Sequence, residues 1–216
     1  MANKQKISFG PSIRRLPSYL HIIRQAQQNG DHYISGTIIA AEQNLEPIQV
    51  RKDMAITGII GKPKKGYPVN DLIDAIESYL GWNLKHCAIV VGAGNLGAAL
   101  IGHQEFKNHG LDIVAAFDID PSKVGASVHG VPIYPFEKIE EIVPQIKAEM
   151  AILTVPSSFA MSACESIVKA GIKSIWNFTN IKLRVPEDVQ VWREDLSSGY
   201  AMLTVMMKLA NKIQEN

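Results

Sequence analysis

Apolar side chains near the start of the chain recur every three to four positions, which is the period of a helix packed on one side. The pattern predicts a first helix over residues 16–28, ended by an Asn-Gly pair. Ser35 is a suitable N-cap for a second helix over residues 36–43, and a proline opens a third helix over residues 47–55. Because a three-residue turn joins the two short helices, the sequence predicts a helix-turn-helix.

The next segment combines glycines, lysines and flanking apolar residues. Residues 58–67 place glycines around a basic loop, which predicts a β-hairpin of the kind that forms the wing of a winged helix. Asn70 is expected to cap a further helix over residues 71–80, and Gly81 is expected to end it. A first domain of winged helix-turn-helix type is therefore predicted over residues 1–84.

From His86 onward the pattern changes to short apolar runs that alternate with helical stretches. This alternation predicts an α/β domain with a mostly parallel sheet covered on both faces, over residues 85–196. The predicted strands are residues 87–91, 113–117, 131–134, 151–155, 174–178 and 189–192.

A last helix is predicted within residues 197–216. It places Met202, Val205, Met206 and Leu209 on one face. That face packs either on the sheet of its own chain or, as an exchanged arm, on a second copy of the chain.

Charge divides the chain in the same way as the apolar pattern. Residues 1–68 carry ten Lys and Arg against four Asp and Glu, a net +6, which leaves −5 for the remainder of a chain whose total is +1. A basic region joined to an acidic one suggests that only the first meets a polyanion such as nucleic acid.

Cysteine use and hydropathy bear on the compartment. Cys87 and Cys164 both lie in apolar stretches, as inert thiols of a reducing compartment do. No apolar run reaches the ~18 residues that span a bilayer, and residues 1–12 are polar, unlike a signal peptide. We therefore expect a cytoplasmic protein.

Gly92, Gly94 and Gly97 form a Gly-x-Gly-x-x-Gly motif between a predicted strand and a predicted helix. In this context the first glycine permits a tight turn, the second lets a diphosphate approach the backbone, and the third lets the helix pack on the strand. The diphosphate would lie against the free N–H groups at the start of that helix. The alternative is a strand-helix turn whose glycines are incidental.

A carboxylate follows the motif at the spacing that a Rossmann-type domain uses. Asp118 ends the next predicted strand, 21 residues after Gly97. There it can accept hydrogen bonds from the adenosine ribose hydroxyls and repel a 2′-phosphate, which favours NAD(H) over NADP(H). Asp120 and Lys123 lie close enough to complicate that preference.

No convincing catalytic set accompanies this predicted site. The spacing of Tyr134 and Lys138 is similar to that of short-chain dehydrogenases, but Pro135 opposes the shared helical face that the pair would need. His103, expected in the helix after the glycine motif, and His129, expected in a turn, have no evident carboxylate partner. No Cys/His cluster has the spacing of a metal site, so we expect neither a bound metal nor an enzyme.

The predicted third helix has the composition of a DNA-reading element. Gln49, Arg51 and Lys52, with Ile48 as a further candidate, project near its N-terminal half, the part that enters a major groove. The predicted wing would contact phosphates, which add affinity but no sequence information. Its candidate side chains are Lys62, Lys64 and Lys65.

Taken together, the motifs resemble those of the redox-sensing transcriptional repressor family Rex. The matching segments run collinearly through nearly the whole chain, as residues 15–17, 49–53, 66–67, 92–97, 117–121 and 177–178. The resemblance implies a homodimer that exchanges its C-terminal helices and reads an inverted-repeat operator with two winged helices. It further implies that NADH releases the DNA and that NAD+ permits binding.

The resemblance also implies residue roles. The cofactor-binding residues carried over by position are Gly92, Ala93, Gly94, Asn95, Leu96, Gly97, Asp118, Asp120, Lys123, Thr154, Pro156, Asn177 and Phe178.

Three further positions concern switching. Arg15 and Asp195 match the pair that couples the two domains of the family. The family's tyrosine that competes for this aspartate is replaced here by His103. A protonated His103 would make the switch contact sensitive to pH.

Three functions fit the glycine motif: a DNA-binding redox sensor, an NAD-dependent dehydrogenase, and a coenzyme A or nucleotide-binding module joined to a protein-interaction domain. The first explains both halves of the chain. The dehydrogenase explains only the second half, and the third alternative leaves the basic helix without a role.

Overall fold

The computed structural model describes the backbone of residues 10–214 and the side chains of residues 10–211. Lys4 and Lys6, which contribute to the basic count, lie outside the described residues, as does the side chain of Ile213. The chain divides after Leu84 into two compact units.

The first unit is a small helical domain with one short ladder. Its elements are α1 (Gly10–Gln28), β1 (Tyr33–Ile34), α2 (Gly36–Glu42), α3 (Pro47–Ala55), β2 (Tyr67–Pro68) and α4 (Val69–Leu80). Its core is formed by side chains such as Leu16, Tyr19, Ile23, Leu72 and Ile76.

The first helix is longer than its sequence pattern predicts. It begins at Gly10 and passes through Pro17, whose ring lies on the exposed side. A proline inside a helix removes one backbone hydrogen bond and crowds the preceding turn. The helix nevertheless continues upstream of the proline, and Arg15 in the preceding turn binds Asp53 on α3.

The predicted helix-turn-helix is confirmed. Ser35 caps α2, and its hydroxyl accepts a hydrogen bond from the backbone N–H of Ile38 at 3.2 Å. Pro47 opens α3 as its first residue. Val50 and Met54 are fully buried and attach α3 to the core.

The predicted hairpin over residues 58–67 is only partly formed. Lys62 and Gly66 make a single antiparallel bridge around a tight turn, and residues 58–61 form no strand. Residues Tyr67–Pro68 instead pair with Tyr33–Ile34. Gly66 explains this choice, because with a φ of +94° it passes so close to Ile34 that a Cβ atom would lie 2.3 Å from the Ile34 carbonyl oxygen.

The fourth helix begins earlier than expected. Its N-cap is Pro68, and Asn70 lies inside the first turn, where its side-chain oxygen accepts a hydrogen bond from Gln27 at 2.7 Å. The prediction that Asn70 caps this helix is therefore wrong. Gly81 ends the helix in a left-handed conformation, with a φ of 73°, as expected.

The second unit is a seven-stranded sheet with helices on both faces. Its strands are β3 (His86–Val91), β4 (Leu111–Asp118), β5 (Ser127–Val128), β6 (Val131–Pro135), β7 (Met150–Leu153), β8 (Ser174–Asn177) and β9 (Gln190–Arg193). They lie in the order β5-β6-β4-β3-β7-β8-β9, and only the β5–β6 pair is antiparallel. All six predicted strands are confirmed, and β5 is an addition.

Five helices accompany the sheet, with a short 3-10 helix at Phe136–Lys138. They are α5 (Asn95–Ile101), α6 (Gln104–Asn108), α7 (Ile139–Ile146), α8 (Ala160–Lys169) and α9 (Ser197–Gln214). Separate apolar clusters cover the two faces of the sheet. The strand order reverses at β3, where β4 and β7 lie on either side, and a ligand crevice is expected there at the carboxyl ends of the strands.

The last helix leaves its apolar side chains exposed. Met202, Val205, Met206 and Leu209 have between 52% and 67% of their surface accessible. Packing on the chain's own sheet is therefore not the arrangement observed for these four residues. No helix within residues 10–214 combines the length and the apolar composition needed to cross a membrane.

Candidate functional site

The glycine motif forms a tight loop between β3 and α5. Gly92 has a φ of +99°, and a Cβ atom there would lie 2.9 Å from the carbonyl oxygen of Thr154. At Gly97 a Cβ atom would lie 2.1 Å from the carbonyl oxygen of Gly92. Gly94, by contrast, has no heavy atom within 4 Å of its Cβ position. Two glycines are therefore required by the fold, and Gly94 leaves space for a ligand against the backbone.

Asp118 holds this loop from the end of β4. One carboxylate oxygen accepts the N–H of Ala93 at 2.8 Å, and the other accepts the N–H of Asp120 at 2.9 Å. Thr154 supports the loop from the other side, donating its hydroxyl proton to the carbonyl oxygen of Gly92 at 2.8 Å. Since all these partners belong to the chain itself, the loop is shaped before any ligand arrives.

The Lys123 side chain lies near two carboxylates beside the loop. Its ammonium group lies 3.2 Å from Asp118 and 3.6 Å from Asp120. Hydrogen bonds from Ser122, more than Lys123, lower the pKa of Asp120. The three side chains together carry a net charge of −1, which disfavours a 2′-phosphate at this position.

A cavity of about 510 Å³ opens beside the loop and has a largely apolar wall. The predicted residues that line it are Gly92, Gly94, Asp118, Asp120, Lys123, Thr154 and Pro156. Sequence reasoning missed the apolar lining, which includes Val91, Phe117, Ile119, Phe136, Val155 and Phe159. Phe117 and Ile119 lie in the matching segment 117–121 but were not singled out as binding residues. Phe136, Val155 and Phe159 lie outside the matching segments and share no spacing with it, so no motif pointed to them. The volume lies within the range of about 300–1,000 Å³ that small-molecule sites occupy.

Six of the predicted cofactor-binding residues do not line this cavity. They are Ala93, Asn95, Leu96, Gly97, Asn177 and Phe178.

Asn177 and Phe178 lie beyond the cavity for a clear structural reason. The Asn177 side chain is fully buried, donates to the Ile181 carbonyl at 3.0 Å and accepts from the N–H and the hydroxyl of Thr179. Phe178 packs on Trp176 with ring centroids 4.9 Å apart. These residues shape the loop after β8.

The third helix of the first unit, α3, presents two different sides. Ile48, Arg51 and Lys52 are exposed, as a DNA-reading surface requires. Gln49 differs from this expectation, because its amide donates a hydrogen bond to the Asp53 carboxylate at 2.9 Å. The structure thus directs Gln49 toward the interior of its own unit.

Asp53 is a fully buried carboxylate on the inner side of α3. Arg15 binds both of its oxygens, through Nε at 2.7 Å and Nη2 at 2.8 Å, and the Tyr19 hydroxyl donates to it at 2.7 Å. Burial raises the pKa of Asp53, but hydrogen bonds from Arg15, Tyr19, Ser12 and Gln49 outweigh burial and hold that pKa at about 2. Asp53 is therefore charged at neutral pH.

The wing lysines surround an aromatic residue that sequence reasoning did not single out. The Lys62 ammonium donates to the Tyr33 hydroxyl at 3.0 Å, and Lys65 lies 5.5 Å from the centre of the Tyr33 ring. The hydrogen bond from Lys62 lowers the pKa of the Tyr33 phenol. Lys62, Lys64 and Lys65 are all exposed, as expected.

The predicted switch residues each have partners within their own unit. Arg15 binds Asp53, and the Asp195 carboxylate accepts the N–H of Ser197 at 2.9 Å and its hydroxyl at 2.7 Å. His103 lies in the break between α5 and α6 and not inside a helix. Its ring nitrogen is 3.7 Å from Glu105, a carboxylate that sequence reasoning did not recognise as a partner. The proposed contact of Arg15 with Asp195 stays a prediction.

The remaining candidates for catalysis or metal binding do not form a site. Tyr134 lies in β6 and Lys138 ends the 3-10 helix, so they share no helical face. The ring of His129 packs against the backbone of Gly102. Within the described residues no group of three or more His, Cys, Asp or Glu could hold a metal ion.

Family models match both halves of the chain. Residues 6–55 match a model described as a putative DNA-binding protein N-terminus. Residues 83–181 match a model described as a CoA binding domain. Each model covers less than half of the chain.

Individual proteins match nearly the whole chain. The chain is 61% identical over 204 residues to the redox-sensing transcriptional repressor Rex of Treponema denticola, which covers 94% of this chain and 97% of the relative. Its structure is similar to that of RSP in complex with β-NAD+ and operator DNA, with a TM-score of 0.86, 29% identity and coverage of 98% and 97%. RSP in complex with β-NADH matches with a TM-score of 0.87, 28% identity and coverage of 98% and 99%.

Proposed function

The chain belongs to the redox-sensing transcriptional repressor family Rex, and from that premise we propose a separate role for each of its two units. The first unit binds operator DNA, and the second binds NADH or NAD+. NADH releases the protein from an inverted-repeat operator, and NAD+ permits binding. The observation that carries the proposal is the 61% identity to a Rex repressor, which extends over 94% of the chain and so includes both units.

The DNA-binding role rests on the exposed side of α3 and on the wing. Arg51 and Lys52 supply charged donors for base edges and phosphates, and Ile48 supplies an apolar contact. Lys62, Lys64 and Lys65 bind the phosphate backbone.

The ligand-binding role rests on the glycine loop and the cavity beside it. The diphosphate lies against the backbone of residues 92–94, where Gly94 leaves room for it. Asp118 and Asp120 face the adenosine ribose and, with Lys123, favour NAD(H) over NADP(H). The apolar wall of the cavity supplies the remaining contacts.

Release of DNA requires only that NADH binds the DNA-incompetent arrangement more tightly than the competent one. Arg15 and Asp195 are the residues we assign to this coupling, with His103 in the place of the family's tyrosine. We further propose that the protein is a cytoplasmic homodimer whose C-terminal helices exchange between subunits. The exposed apolar side chains of α9 support the exchange.

The dehydrogenase alternative is not favoured, because the relative that covers the chain is named as a repressor. The match to a CoA binding domain describes only residues 83–181 and leaves the first unit unexplained. A repressor accounts for both units.

Binding to a labelled inverted-repeat duplex tests the proposal when salt is held fixed and NADH is titrated against NAD+. We expect NADH to release the duplex and NAD+ to leave it bound. Arg51→Ala should weaken DNA binding and leave NADH binding intact, and Gly94→Val should do the reverse. Hydride transfer to a small substrate without salt-dependent DNA binding would contradict the proposal.

A further inference from the structure

We propose that Asp53 is the positioning residue that sets the orientation of α3 on DNA, and that Gln49 assists it and reads no base. This inference rests on the proposed function, since it concerns how the DNA-reading helix is held. It assigns to two residues of the DNA-binding unit a role in operator selectivity that acts through other side chains.

The inner side of α3 is held by directed polar contacts as well as by apolar packing. One oxygen of Asp53 accepts from Arg15 Nη2 and Gln49 Nε2, and the other accepts from Arg15 Nε and the Tyr19 hydroxyl. Each oxygen therefore has at least two donors, and Ser12 on α1 is a further donor to this carboxylate. A buried carboxylate with these partners cannot rotate without leaving a charge unpaired, which is costly.

The donors belong to two different helices. Arg15 and Tyr19 lie on α1, and Gln49 and Asp53 lie on α3. The apolar anchors of α3, Val50 and Met54, are also buried, but apolar contacts are non-directional and tolerate small rotations of a helix. A two-point bond from Arg15 to a carboxylate fixes direction as well as distance.

Helical spacing separates the two sides of α3. Gln49 and Asp53 are four residues apart and therefore lie on one face. Arg51 and Lys52 follow Ile48 by three and four residues, and the three side chains form the exposed face. Gln49 is half-buried, and its amide is turned toward Asp53 on the inner side. We therefore assign the contacts with base edges to Ile48, Arg51 and Lys52.

Gln49→Ala separates positioning from base reading. Binding is measured in the absence of NADH against a panel of operators, each carrying one substituted base pair, and against an unrelated duplex. A positioning residue should lower discrimination at every base pair that α3 contacts, by about threefold to tenfold, the effect of losing one ordinary hydrogen bond. Arg51→Ala is the matched control, and it should relax discrimination mainly at one base pair. If Gln49→Ala also relaxes only one base pair, Gln49 reads a base and the inference is wrong.

A second pair of variants separates positioning from stability. Asp53→Asn removes the charge that Arg15 binds and should lower the ratio of operator to unrelated-duplex affinity by more than about tenfold. The triple variant Arg15→Met/Tyr19→Phe/Asp53→Leu replaces the buried charge and its two main donors on α1 by apolar side chains, an exchange that often preserves stability.

We expect the triple variant to fold but to remain poorly selective. Recovery of full operator selectivity by the triple variant would overturn the inference, because the network would then supply stability only. If either variant fails to fold, the Gln49→Ala panel decides alone. The parent protein is the control for the proposed function. If the parent does not bind the operator or does not respond to NADH, the proposed function is refuted. That outcome is distinct from a parent that binds normally and a Gln49→Ala variant that does not behave as expected.

Discussion

Asp53 carries a full charge in a position with no accessible surface, and this gives the first unit a specific acid sensitivity. Its pKa of about 2 lies below its ordinary value of 3.8. A carboxylate whose pKa is lower in the folded state stabilises that state above its ordinary pKa, and this contribution disappears as the pH falls through the folded value.

Asp53→Asn should therefore lower the free energy of unfolding of the first unit by about 2 kcal/mol between neutral pH and about pH 4. The loss should become progressively smaller as the pH falls toward 2. Urea titrations at each pH, with unfolding monitored by amide hydrogen exchange in α1 and α3, measure the difference in free energy of unfolding between Asp53→Asn and the parent. The exposed carboxylate of Asp74 lies in the same unit, and Asp74→Asn is the matched control. A cost that stays constant across this pH range would contradict the prediction.

Two glycines of the same loop should respond differently to the same substitution. Gly97→Ala places a Cβ atom 2.1 Å from the Gly92 carbonyl oxygen and should destabilise the ligand-free protein by about 1–3 kcal/mol. Gly94→Ala meets no heavy atom within 4 Å, so it should leave the melting temperature unchanged. Its expected effect is a loss of NADH affinity of more than about tenfold, or 1.4 kcal/mol. Thermal scans and NADH titrations check both, and equal melting temperatures for the two variants would refute this assignment.

At this scale the sequence predicted the loop better than its surroundings. The glycine spacing implied a fold requirement that the structure reproduces at Gly92 and Gly97. The side-chain partner of Gln49 was missed, although Asp53 follows four residues later, the spacing at which Gln and Asp side chains can form a hydrogen bond along a helix. Asn177 was likewise placed by resemblance, and its amide proves to be bound within its own loop.

The wing is a tight turn that carries three exposed lysines. Each of the substitutions Lys62→Met, Lys64→Met and Lys65→Met should weaken binding to operator DNA and to unrelated DNA by the same factor. Each should also reduce the slope of log affinity against log salt by about 0.9, as expected when one phosphate contact is lost. Fluorescence anisotropy at several salt concentrations measures the slope, and Lys182→Met, in the second unit, serves as control. An unchanged slope would show that the lysine contacts no phosphate.

The last helix should determine the oligomeric state. Met206 is 62% accessible in the single chain, and an aspartate there would place a charge within an apolar contact between two copies. Met206→Asp should shift the protein from dimer to monomer in sedimentation velocity. Asn211→Asp adds the same charge to a polar position of α9 and should remain dimeric. Identical sedimentation of Met206→Asp and the parent would exclude this face as the contact.

The elements themselves followed from the sequence where one rule governed them. Strand positions were found because buried parallel strands form uninterrupted apolar runs. The start of α1 was missed because Pro17 is typical of the first turn of a helix, whereas here it lies inside one. The pairing of β2 was missed because it depends on the approach of Gly66 to Ile34, which is distant in sequence.

For the whole molecule, the change in apolar period near residue 85 and the shift of net charge predicted two parts with different partners. The seven-stranded sheet is parallel apart from β5, in agreement with the prediction of a mostly parallel sheet. What the sequence could not supply is the wall of the cavity, since Phe117, Phe136 and Phe159 come from three separate elements and meet only in the folded unit. The direction of the response to NADH was likewise available only from the family.

The two sides of α3 have a consequence for how this regulator can change over generations. Residues that secure the helix lie on its inner side, and Ile48, Arg51 and Lys52 on the outer side contribute little to the core. Mutations on the outer side can therefore accumulate without unfolding the protein. The set of regulated genes can therefore change during evolution, or be changed by engineering of these three side chains. The metabolic signal to which the protein responds stays the same.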